Sequence, residues 1–295
     1  MSSLAPWWRL LARLPGGSTA VARVASASPA ARPTVLLTGA AGNVARLVRP
    51  ALAELAEELR LSDRQHVPPA AANERSVPAQ LEDAVAVEQA VAGSNAIVHL
   101  GGIAKEAAWE ALIASNLRGT INVLEAARRH GVGRVVLASS MHVMGFHERA
   151  DDFSEDSPPR PDSRYAASKL CTEAVGRLFA EKYGIAVTCI RIGHVTERRE
   201  QAEPGNWIGA ADLARLIRLG VERPAHGFTL LHGVAGYDGC RISDGRLPRA
   251  FGFNFLGRGG SYAQAMRRLP ATYPGNPRAQ QLRGGVFAAG DHNMV

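Results

Sequence analysis

An apolar run followed at once by a glycine-rich turn and an amphipathic stretch most limits how this 295-residue chain can fold. Residues 34–47 read TVLLTGAAGNVARL, which places Gly39, Gly42 and Ala45 between a short strand and the helix after it. Small residues there allow a tight turn and let the backbone approach a pyrophosphate, whose charge meets the amides of the helix N-terminus. Ala45 stands where a third glycine is usual, a position that governs only helix–strand packing. The turn therefore predicts a dinucleotide site.

Short apolar runs alternate with longer amphipathic stretches along the rest of the chain, a pattern typical of a parallel sheet covered by helices. We predict strands at residues 35–37, 59–61, 96–100, 135–138, 187–192 and 228–231. We predict helices at residues 44–57, 82–91, 107–129, 163–183 and 210–223. The Pro- and Ala-rich segment 65–78 is expected to be a surface loop, and the chain after residue 259 irregular. The predicted fold class is α/β, a doubly wound parallel sheet of the Rossmann type with a small C-terminal substrate-binding portion.

The composition favours one main globular domain, since 46% of the residues are hydrophobic, enough for one sizeable core. Residues 1–32 contain no acid, carry four arginines and are rich in serine and alanine, as in organelle transit peptides. A disordered extension is the simpler interpretation and the one we prefer. We therefore predict an extension at residues 1–32 and a dinucleotide-binding domain at 33–295, with the substrate-binding elements mainly in 193–295.

Several partner classes are disfavoured by the distribution of charge and of cysteine. The net charge of +7 comes from arginines spread along the chain, so nucleic acid is not an expected partner. No apolar run approaches the roughly 20 residues of a membrane span. The chain has three cysteines, Cys171, Cys189 and Cys240. Their odd number and their spacing fit neither a disulfide framework nor a metal site. They favour a reducing, cytoplasmic location. A small-molecule substrate is the expected partner, and no metal is predicted.

The residue that ends the second predicted strand bears on the choice of cofactor. Asp63 closes the segment LRLSD, a little over twenty residues beyond the glycine turn. A carboxylate there accepts hydrogen bonds from the adenosine ribose hydroxyls and repels a 2′-phosphate, which favours NAD over NADP. The neighbouring Arg64 could accommodate that phosphate, and Asp63 could instead be a turn or cap residue. Its place directly after a strand favours ribose contact, so NAD is the predicted cofactor.

A tyrosine and a lysine four residues apart carry the predicted chemistry. Tyr165 and Lys169 lie in YAASK, in a chain that has only two other lysines, and one helical turn puts both on the same face. Ser139 and Ser140 follow a predicted strand at the carboxyl edge of the sheet, where doubly wound folds bind ligands. A hydroxyl from this edge could hold a substrate oxygen while Tyr165 removes its proton. The phenol pKa, ordinarily about 10, would have to fall, and we expect a nearby ammonium and a cationic nicotinamide to lower it.

In the order of these motifs the chain resembles the short-chain dehydrogenase/reductase superfamily, in its extended or atypical branch of NAD-dependent epimerases and dehydratases. More specifically it is similar to the uronate dehydrogenases, which oxidise the anomeric hydroxyl of a hexuronic acid with NAD and give an aldarolactone. The matching segments are HLGG at 99–102, NxxG at 116–119, SSxH with a following glycine and aromatic at 139–146, RPDxxYxxSK at 160–169, the strand end at 190–193 and RGGVF at 283–287.

The resemblance implies a role for each matching residue. The catalytic residues would be Ser140, Tyr165, Lys169 and the supporting Asn116. Residues that would contact the cofactor are Gly39, Ala41, Gly42, Asn43, Val44, Asp63, Gln80, Leu81, Leu100, Gly101, Gly102, Tyr165, Lys169 and Ile192. Residues that would contact the substrate are Ala104, Ser140, Met141, His142, Tyr165 and His194.

Several of these positions depart from the pattern of the family. Ala104, Met141 and His194 replace a serine, an asparagine and a serine, so a hydroxylated substrate would lose hydrogen bonds of roughly 1 kcal/mol each. Gln80 stands where an aspartate usually meets the adenine. The substrate-binding arginine of the family cannot be aligned securely, although two arginines lie near where a carboxylate clamp is needed: Arg198 and Arg199.

Two alternatives remain open from the sequence. A sugar epimerase would use the same tyrosine and lysine, although the chain after Gly193 is short for a separate nucleotide-binding lobe. A non-catalytic NAD-binding protein that senses redox state is compatible with the altered substrate positions; such a protein would bind NADH and turn over no sugar or alcohol. Folds of this type often pair through surface helices, which leaves a homo-oligomer open.

Overall fold

Parallel strands dominate the computed structural model, which describes residues 32–152, 154–203, 205–222, 227–235, 251–257 and 259–290. The strands are β1 (Thr34–Thr38), β2 (Glu58–Ser62), β3 (Glu74–Ser76), β4 (Ala96–His99), β5 (Arg134–Ser140), β6 (Ala186–Ile192), β7 (His194–Val195), β8 (Trp207–Ile208) and β9 (Phe228–Gly233). Seven of them form one parallel sheet in the order β3-β2-β1-β4-β5-β6-β9, and β7 pairs with β8 separately. The order reverses direction between β1 and β4, which leaves a crevice at the carboxyl ends of these two strands.

Helices cover both faces of the sheet. The α-helices up to residue 222 are α1 (Asn43–Leu55), α2 (Ala84–Val91), α3 (Trp109–Leu112), α4 (Gly119–Arg129), α5 (Arg164–Tyr183) and α6 (Ala210–Glu222). A π-helical turn at Ile113–Arg118 joins α3 to α4, and 3₁₀ turns occupy Met141–Met144 and Arg199–Gln201. Short helices follow at Tyr262–Met266, Leu269–Thr272, Pro277–Gln281 and Val286–Ala289. Over the described ranges, none of the helices has the length and apolar character needed to cross a membrane.

The sheet has a hydrophobic core on each face because alternate residues of a strand point to opposite sides. In β1, Val35 and Leu37 join the core that α1 and α6 cover, whereas Leu36 joins the core on the face of α2, α4 and α5. The central strands β1, β4, β5 and β6 are therefore apolar on both faces. This explains why they read as continuous apolar runs in the sequence.

The predicted fold class is confirmed, and most element boundaries fall within two residues of the prediction. The helix predicted at 107–129 begins at Trp109 and contains the π-helical turn. The helix predicted at 210–223 ends at residue 223, which lies outside the described residues. Residues 1–31 of the predicted extension also lie outside them. The division at residue 32 stays a prediction.

Two predictions of irregular structure are wrong. Segment 65–78 contains the edge strand β3, which hydrogen bonds to β2 although its three residues, Glu-Arg-Ser, are polar. A short polar edge strand has no periodic apolar signal, so its pattern is that of a loop. The chain after residue 259 contains the short helices, which are too brief for helical periodicity to stand out.

A buried ion pair fixes the long helix α5 against the sheet. Glu173 of α5 accepts two hydrogen bonds from Arg191 of β6, each at 2.8 Å, and one from the Ser139 hydroxyl of β5 at 2.6 Å. The side chains of Glu173 and Arg191 are 6% and 3% exposed. Tyr165, Lys169 and Glu173 recur every four residues and are all buried, so the pair orients the helix face that carries the two candidate catalytic groups.

Removing the Glu173 charge is expected to destabilise the protein strongly. Glu173→Gln leaves the buried Arg191 guanidinium without a counter-charge, and the loss of one partner of a buried pair costs about 3–5 kcal/mol. The loss of stability is measured as the change in the free energy of unfolding in urea. Glu181→Gln is the matched control on the same helix, since its exposed pair with Arg177 contributes about 0.5 kcal/mol or less. Equal effects of the two substitutions would contradict the role of the buried pair.

Candidate active site

Two glycine segments meet in the crevice between β1 and β4. Gly39 has φ +68°, a conformation that favours glycine, and a Cβ built on it would lie 2.6 Å from Cα of Gly101. Gly101 follows β4 in the HLGG segment, and its amide donates to the Thr38 hydroxyl at 3.3 Å. The close approach of the two backbones leaves no room for a side chain between them. The crevice therefore has a smooth floor built from main chain.

The glycine turn leads directly into the N-terminus of α1. Gly42 is the N-cap residue and offers no side-chain acceptor to the amides of the first turn. The Asp63 carboxylate accepts from the amides of Ala41 at 3.2 Å and Gln65 at 3.3 Å, so it braces the turn from the end of β2. Asn43 is exposed and Val44 half-buried. The predicted cofactor residues at 39–44 and at 63 thus lie together.

A second set of predicted cofactor residues continues the same wall. Leu81 packs closely against Gly101 and Gly119, since a Cβ on either glycine would lie within 3 Å of Leu81. The Asn122 side-chain amide donates to the Leu81 carbonyl at 2.8 Å. Gln80 is exposed. Of these two predicted cofactor residues, Leu81 lies in the crevice wall, and Gln80 lies on the solvent side.

The HLGG segment is held by hydrogen bonds of fixed direction through His99. The Thr120 hydroxyl donates to the carbonyl of Asn116 at 2.6 Å, so it must accept from Nε2–H of His99 at 3.1 Å. The other ring nitrogen, Nδ1, is then an acceptor for the Thr38 hydroxyl at 2.7 Å. Burial, and secondarily the charge of Lys169, lowers the pKa of His99 to about 3, so the ring is neutral at physiological pH.

Asn116 lies in the π-helical turn and supports the loop after HLGG. Its Oδ1 accepts from the amide of Ile103 at 2.7 Å, and its Nδ2 donates to the carbonyl of Ile103 at 3.0 Å and to the Ser168 hydroxyl at 2.8 Å. The Ser168 hydroxyl in turn donates to the carbonyl of Tyr165 at 2.7 Å. Asn116 therefore joins the loop to the helix of the YAASK segment, and its side chain has little capacity left for a ligand.

The three predicted catalytic side chains converge beside this loop. The Ser140 hydroxyl at the end of β5 lies near the Tyr165 phenol, whose pKa it lowers, and accepts from the amide of His142 at 3.2 Å. The ammonium of Lys169 donates to the carbonyl of Ala138 at 3.0 Å and lies 6.0 Å from the centre of the Tyr165 ring. All three residues are less than 9% exposed. Ile192, at the end of β6, pairs with Ser140 in the sheet.

In the protein alone, the pKa of Tyr165 does not move in the predicted direction. Burial raises the pKa of Tyr165, the hydrogen bond from Ser140 opposes this rise, and the charge of Asp162 adds to it. Burial also lowers the pKa of Lys169 to about 8. Both shifts have the same cause, since a poorly solvated group favours its neutral form. A lowered tyrosine pKa therefore requires a further positive charge in the pocket.

Glu106 anchors the start of the helix that carries Tyr165. Its Oε1 accepts from Arg164 at 2.6 Å, and its Oε2 accepts from the main-chain amide of Tyr165 at 3.0 Å. Although burial raises the pKa of Glu106, the hydrogen bonds from Arg164 and from the amides hold it below the ordinary value. The carboxylate is thus charged at the helix N-terminus, where the helix dipole favours it. Sequence reasoning missed this residue.

A narrow cleft lies next to the candidate catalytic residues. It is lined by Met141, His142, Arg149, Gly205, Asn206 and Arg283. His142 bonds to the buried Asp162 at 2.8 Å, and its ring lies 6.1 Å from that of Tyr165. Burial lowers the pKa of His142, but the charges of Asp162 and Glu203 outweigh burial and raise it. Among the described residues no group of His, Cys, Asp and Glu has the arrangement of a metal site.

The arginines of the cleft are not those that the sequence suggested. Arg198 is exposed, and Arg199 stacks over Trp207 at 4.7 Å and donates to the carbonyl of Gly259. Arg149 and Arg283 come instead from the loop after β5 and from the tail, which are joined by a main-chain bond from Arg149 to Gln281 at 2.9 Å. Only the RGGVF match around Arg283 could have indicated this pairing.

Of the substrate positions that depart from the family pattern, Met141 lies in the cleft wall. Ala104 and His194 are exposed. The amide of His194 donates to the carbonyl of Asn206 at 2.6 Å, which ties β7 to the segment that borders the cleft. The three substitutions thus lie in different surroundings, and the cleft itself contains only one of them.

The pattern of the NAD dependent epimerase/dehydratase family matches residues 35–222 of this chain. The chain belongs to this family. It is 35% identical over 263 residues to uronate dehydrogenase of Pseudomonas putida, a match that covers 88% of this chain and 97% of the relative. It is 33% identical to L-arabinose 1-dehydrogenase (NAD(P)(+)) of Haloferax volcanii over 64% of this chain and 82% of that one.

A solved structure of a relative has the same fold. A crystal structure of uronate dehydrogenase from Agrobacterium tumefaciens, a tyrosine-to-alanine mutant complexed with NAD, superposes with a TM-score of 0.79 at 33% identity, covering 88% of this chain and 97% of the other. The resemblance to uronate dehydrogenases inferred from the sequence motifs is therefore confirmed.

Replacing Gly39 tests how closely the two glycine segments approach. Gly39 and Gly131 both have φ +68°, but a Cβ on Gly131 would have no atom within 4 Å. Gly131→Ala should therefore lower the free energy of unfolding in urea only by the penalty for a left-handed backbone with a side chain, about 1–2 kcal/mol. Gly39→Ala should cost more, because the Gly101 backbone must also shift. Equal losses for the two variants would mean that the segments do not constrain each other.

Proposed function

We propose that this protein is an NAD-dependent dehydrogenase that oxidises the anomeric hydroxyl of a sugar acid or a related sugar. The observation that carries the proposal is the convergence of Ser140, Tyr165 and Lys169 beside the main-chain floor of the crevice. Membership of the NAD dependent epimerase/dehydratase family and the similarity to uronate dehydrogenases over most of the chain support it. A cytoplasmic location and a homo-oligomeric state belong to the same proposal and have only the sequence behind them.

The residues of the crevice fit NAD. The amides at the start of α1 and the tight turn at Gly39 and Gly42 suit a pyrophosphate. Asp63 suits the adenosine ribose, although part of its capacity is used by the amide of Ala41. Leu81, Leu100, Gly101 and Gly102 supply an apolar, main-chain wall. When bound, NAD supplies the hydride acceptor and a positive charge on its nicotinamide ring.

Each of the three candidate catalytic side chains would contribute to the removal of one proton from the substrate hydroxyl. The Ser140 hydroxyl would hold the substrate hydroxyl by a hydrogen bond. The Tyr165 phenolate would take the proton of that hydroxyl as the hydride leaves the carbon that bears it. The Lys169 ammonium stabilises the phenolate electrostatically. Burial favours the phenol in the protein alone, so the base forms only when added positive charge enters the pocket. Proton abstraction is thus coupled to a filled cofactor site.

The substrate side of the proposal rests on the cleft beside Met141 and His142. His142 is held by Asp162, which favours an imidazole with Nδ1 protonated and leaves Nε2 for a sugar hydroxyl. Arg283 and Arg149 lie in the same wall, and Arg149 is paired with Glu203.

The direct test is NADH formation by the purified protein with a panel of sugars. Galacturonate and glucuronate are compared with galactose and glucose, each with NAD and with NADP, by the absorbance of the reduced cofactor. We expect turnover with NAD. Tight NADH binding without oxidation of any sugar would reject the dehydrogenase and favour an epimerase or a sensor.

Tyr165→Phe is expected to remove turnover and leave cofactor binding almost intact. The phenyl ring fills the same space but cannot accept a proton, so kcat should fall by at least about a hundredfold. NADH affinity, measured by fluorescence titration, should change little, since it depends mainly on the glycine turn. Retained turnover would reject Tyr165 as the base.

A further inference from the structure

One carboxylate at the cleft wall is held by three donors from the chain itself. Glu203 accepts hydrogen bonds from the guanidinium of Arg149, from the phenol of Tyr273 at 2.5 Å and from the side-chain amide of Asn206 at 3.3 Å. The side chains of Arg149 and Glu203 are 7% and 13% exposed. Arg149 and Asn206 also line the cleft. The wall therefore contains a receptor for a carboxylate, and Glu203 fills it.

The charge of Glu203 acts inside the cleft. It contributes to the raised pKa of His142, whose ring lies 6.1 Å from that of Tyr165. A second carboxylate brought in by a sugar acid would meet this charge in a poorly solvated place, where like charges repel strongly. It would also compete for Arg149, whose guanidinium already pairs with a carboxylate in bonding geometry. A neutral sugar meets neither obstacle.

We propose that Glu203 determines the substrate class of this pocket by occupying the position on Arg149 that a substrate carboxylate would take. A uronate binds there only when its carboxylate displaces that of Glu203. A neutral aldose binds without this displacement, so the pair shifts specificity towards neutral aldoses. The inference rests on the proposed function, because it assigns the substrate class of the same site.

If the pair of Arg149 and Glu203 had only a structural role, substitutions in it would have a different effect on the substrates. Tyr273 lies in the C-terminal part of the chain, and Arg149 follows β5, so the cluster around Glu203 also joins distant segments. If joining them were its whole role, a substitution would lower stability and affect all substrates alike. The informative quantity is therefore the ratio of KM values for a charged sugar and its neutral parent.

Glu203→Gln removes the charge and keeps the size of the side chain and its capacity to accept hydrogen bonds. We expect the KM for galacturonate to fall about tenfold, equivalent to about 1.4 kcal/mol, and the KM for galactose to stay within about twofold. Glu222→Gln is the control, since its pair with Arg218 lies on the exposed side of α6. An unchanged KM ratio, or equal changes for both sugars, would overturn the proposal.

A binding measurement separates this inference from the proposed function. Galactarate, a sugar dicarboxylate, is titrated calorimetrically into the protein with NADH present, which needs no turnover. We expect tighter binding to Glu203→Gln than to the wild type, and loss of this gain when Arg149→Gln is added. If neither sugar is oxidised, the proposed function fails, and the titration still decides: equal galactarate affinities in wild type and Glu203→Gln would reject the role of Glu203.

A second variant keeps the inference testable if Glu203→Gln does not fold. Arg149→Gln alone leaves the Glu203 charge at the wall without its partner, so galactarate and galacturonate should bind more weakly than to the wild type. The KM for galactose should change less than the KM for galacturonate. Equal weakening for charged and neutral sugars would overturn the proposal.

Discussion

The arrangement of the site depends on the buried pair between Glu173 and Arg191. A long helix can rotate about its axis, and a small rotation would move Tyr165 and Lys169 away from the end of β5. Three hydrogen bonds to Glu173 from two neighbouring strands fix this rotation two turns below Tyr165. Replacing such a pair by apolar side chains often costs no stability, so the value of the pair lies in its directionality.

The fold could be predicted from the sequence because its signals are local and strong. Continuous apolar strands, the glycine turn and the four-residue spacing of Tyr165 and Lys169 each limit the backbone within one element. Edge strand β3 and the short C-terminal helices lack such signals, since they are too short and polar for a period to show. The central strands, the glycine turn and the helix of Tyr165 and Lys169 were therefore predicted, and the peripheral elements were missed.

The substrate wall could not be predicted for a different reason. Arg149 and Glu203 are 54 residues apart, and their contact depends on how two loops and the tail pack together. No spacing rule links such positions. The pKa of Tyr165 also depends on burial, which a motif does not reveal. The sequence indicates which groups are candidates for the chemistry, whereas the packing decides which charges surround them.

The hydrogen bonds through His99 have a consequence for what the crevice can recognise. The amide of Gly101 points to the Thr38 hydroxyl, so the main chain there has no N–H to offer to a bound molecule. At Gly101 the floor therefore meets a ligand mainly through its shape, as it would the flat face of a ring. The amides at the start of α1, which have no side-chain cap, are suited to meet an anion. The two ends of the crevice thus differ in chemistry, with uncapped amides at the start of α1 and an engaged amide at Gly101.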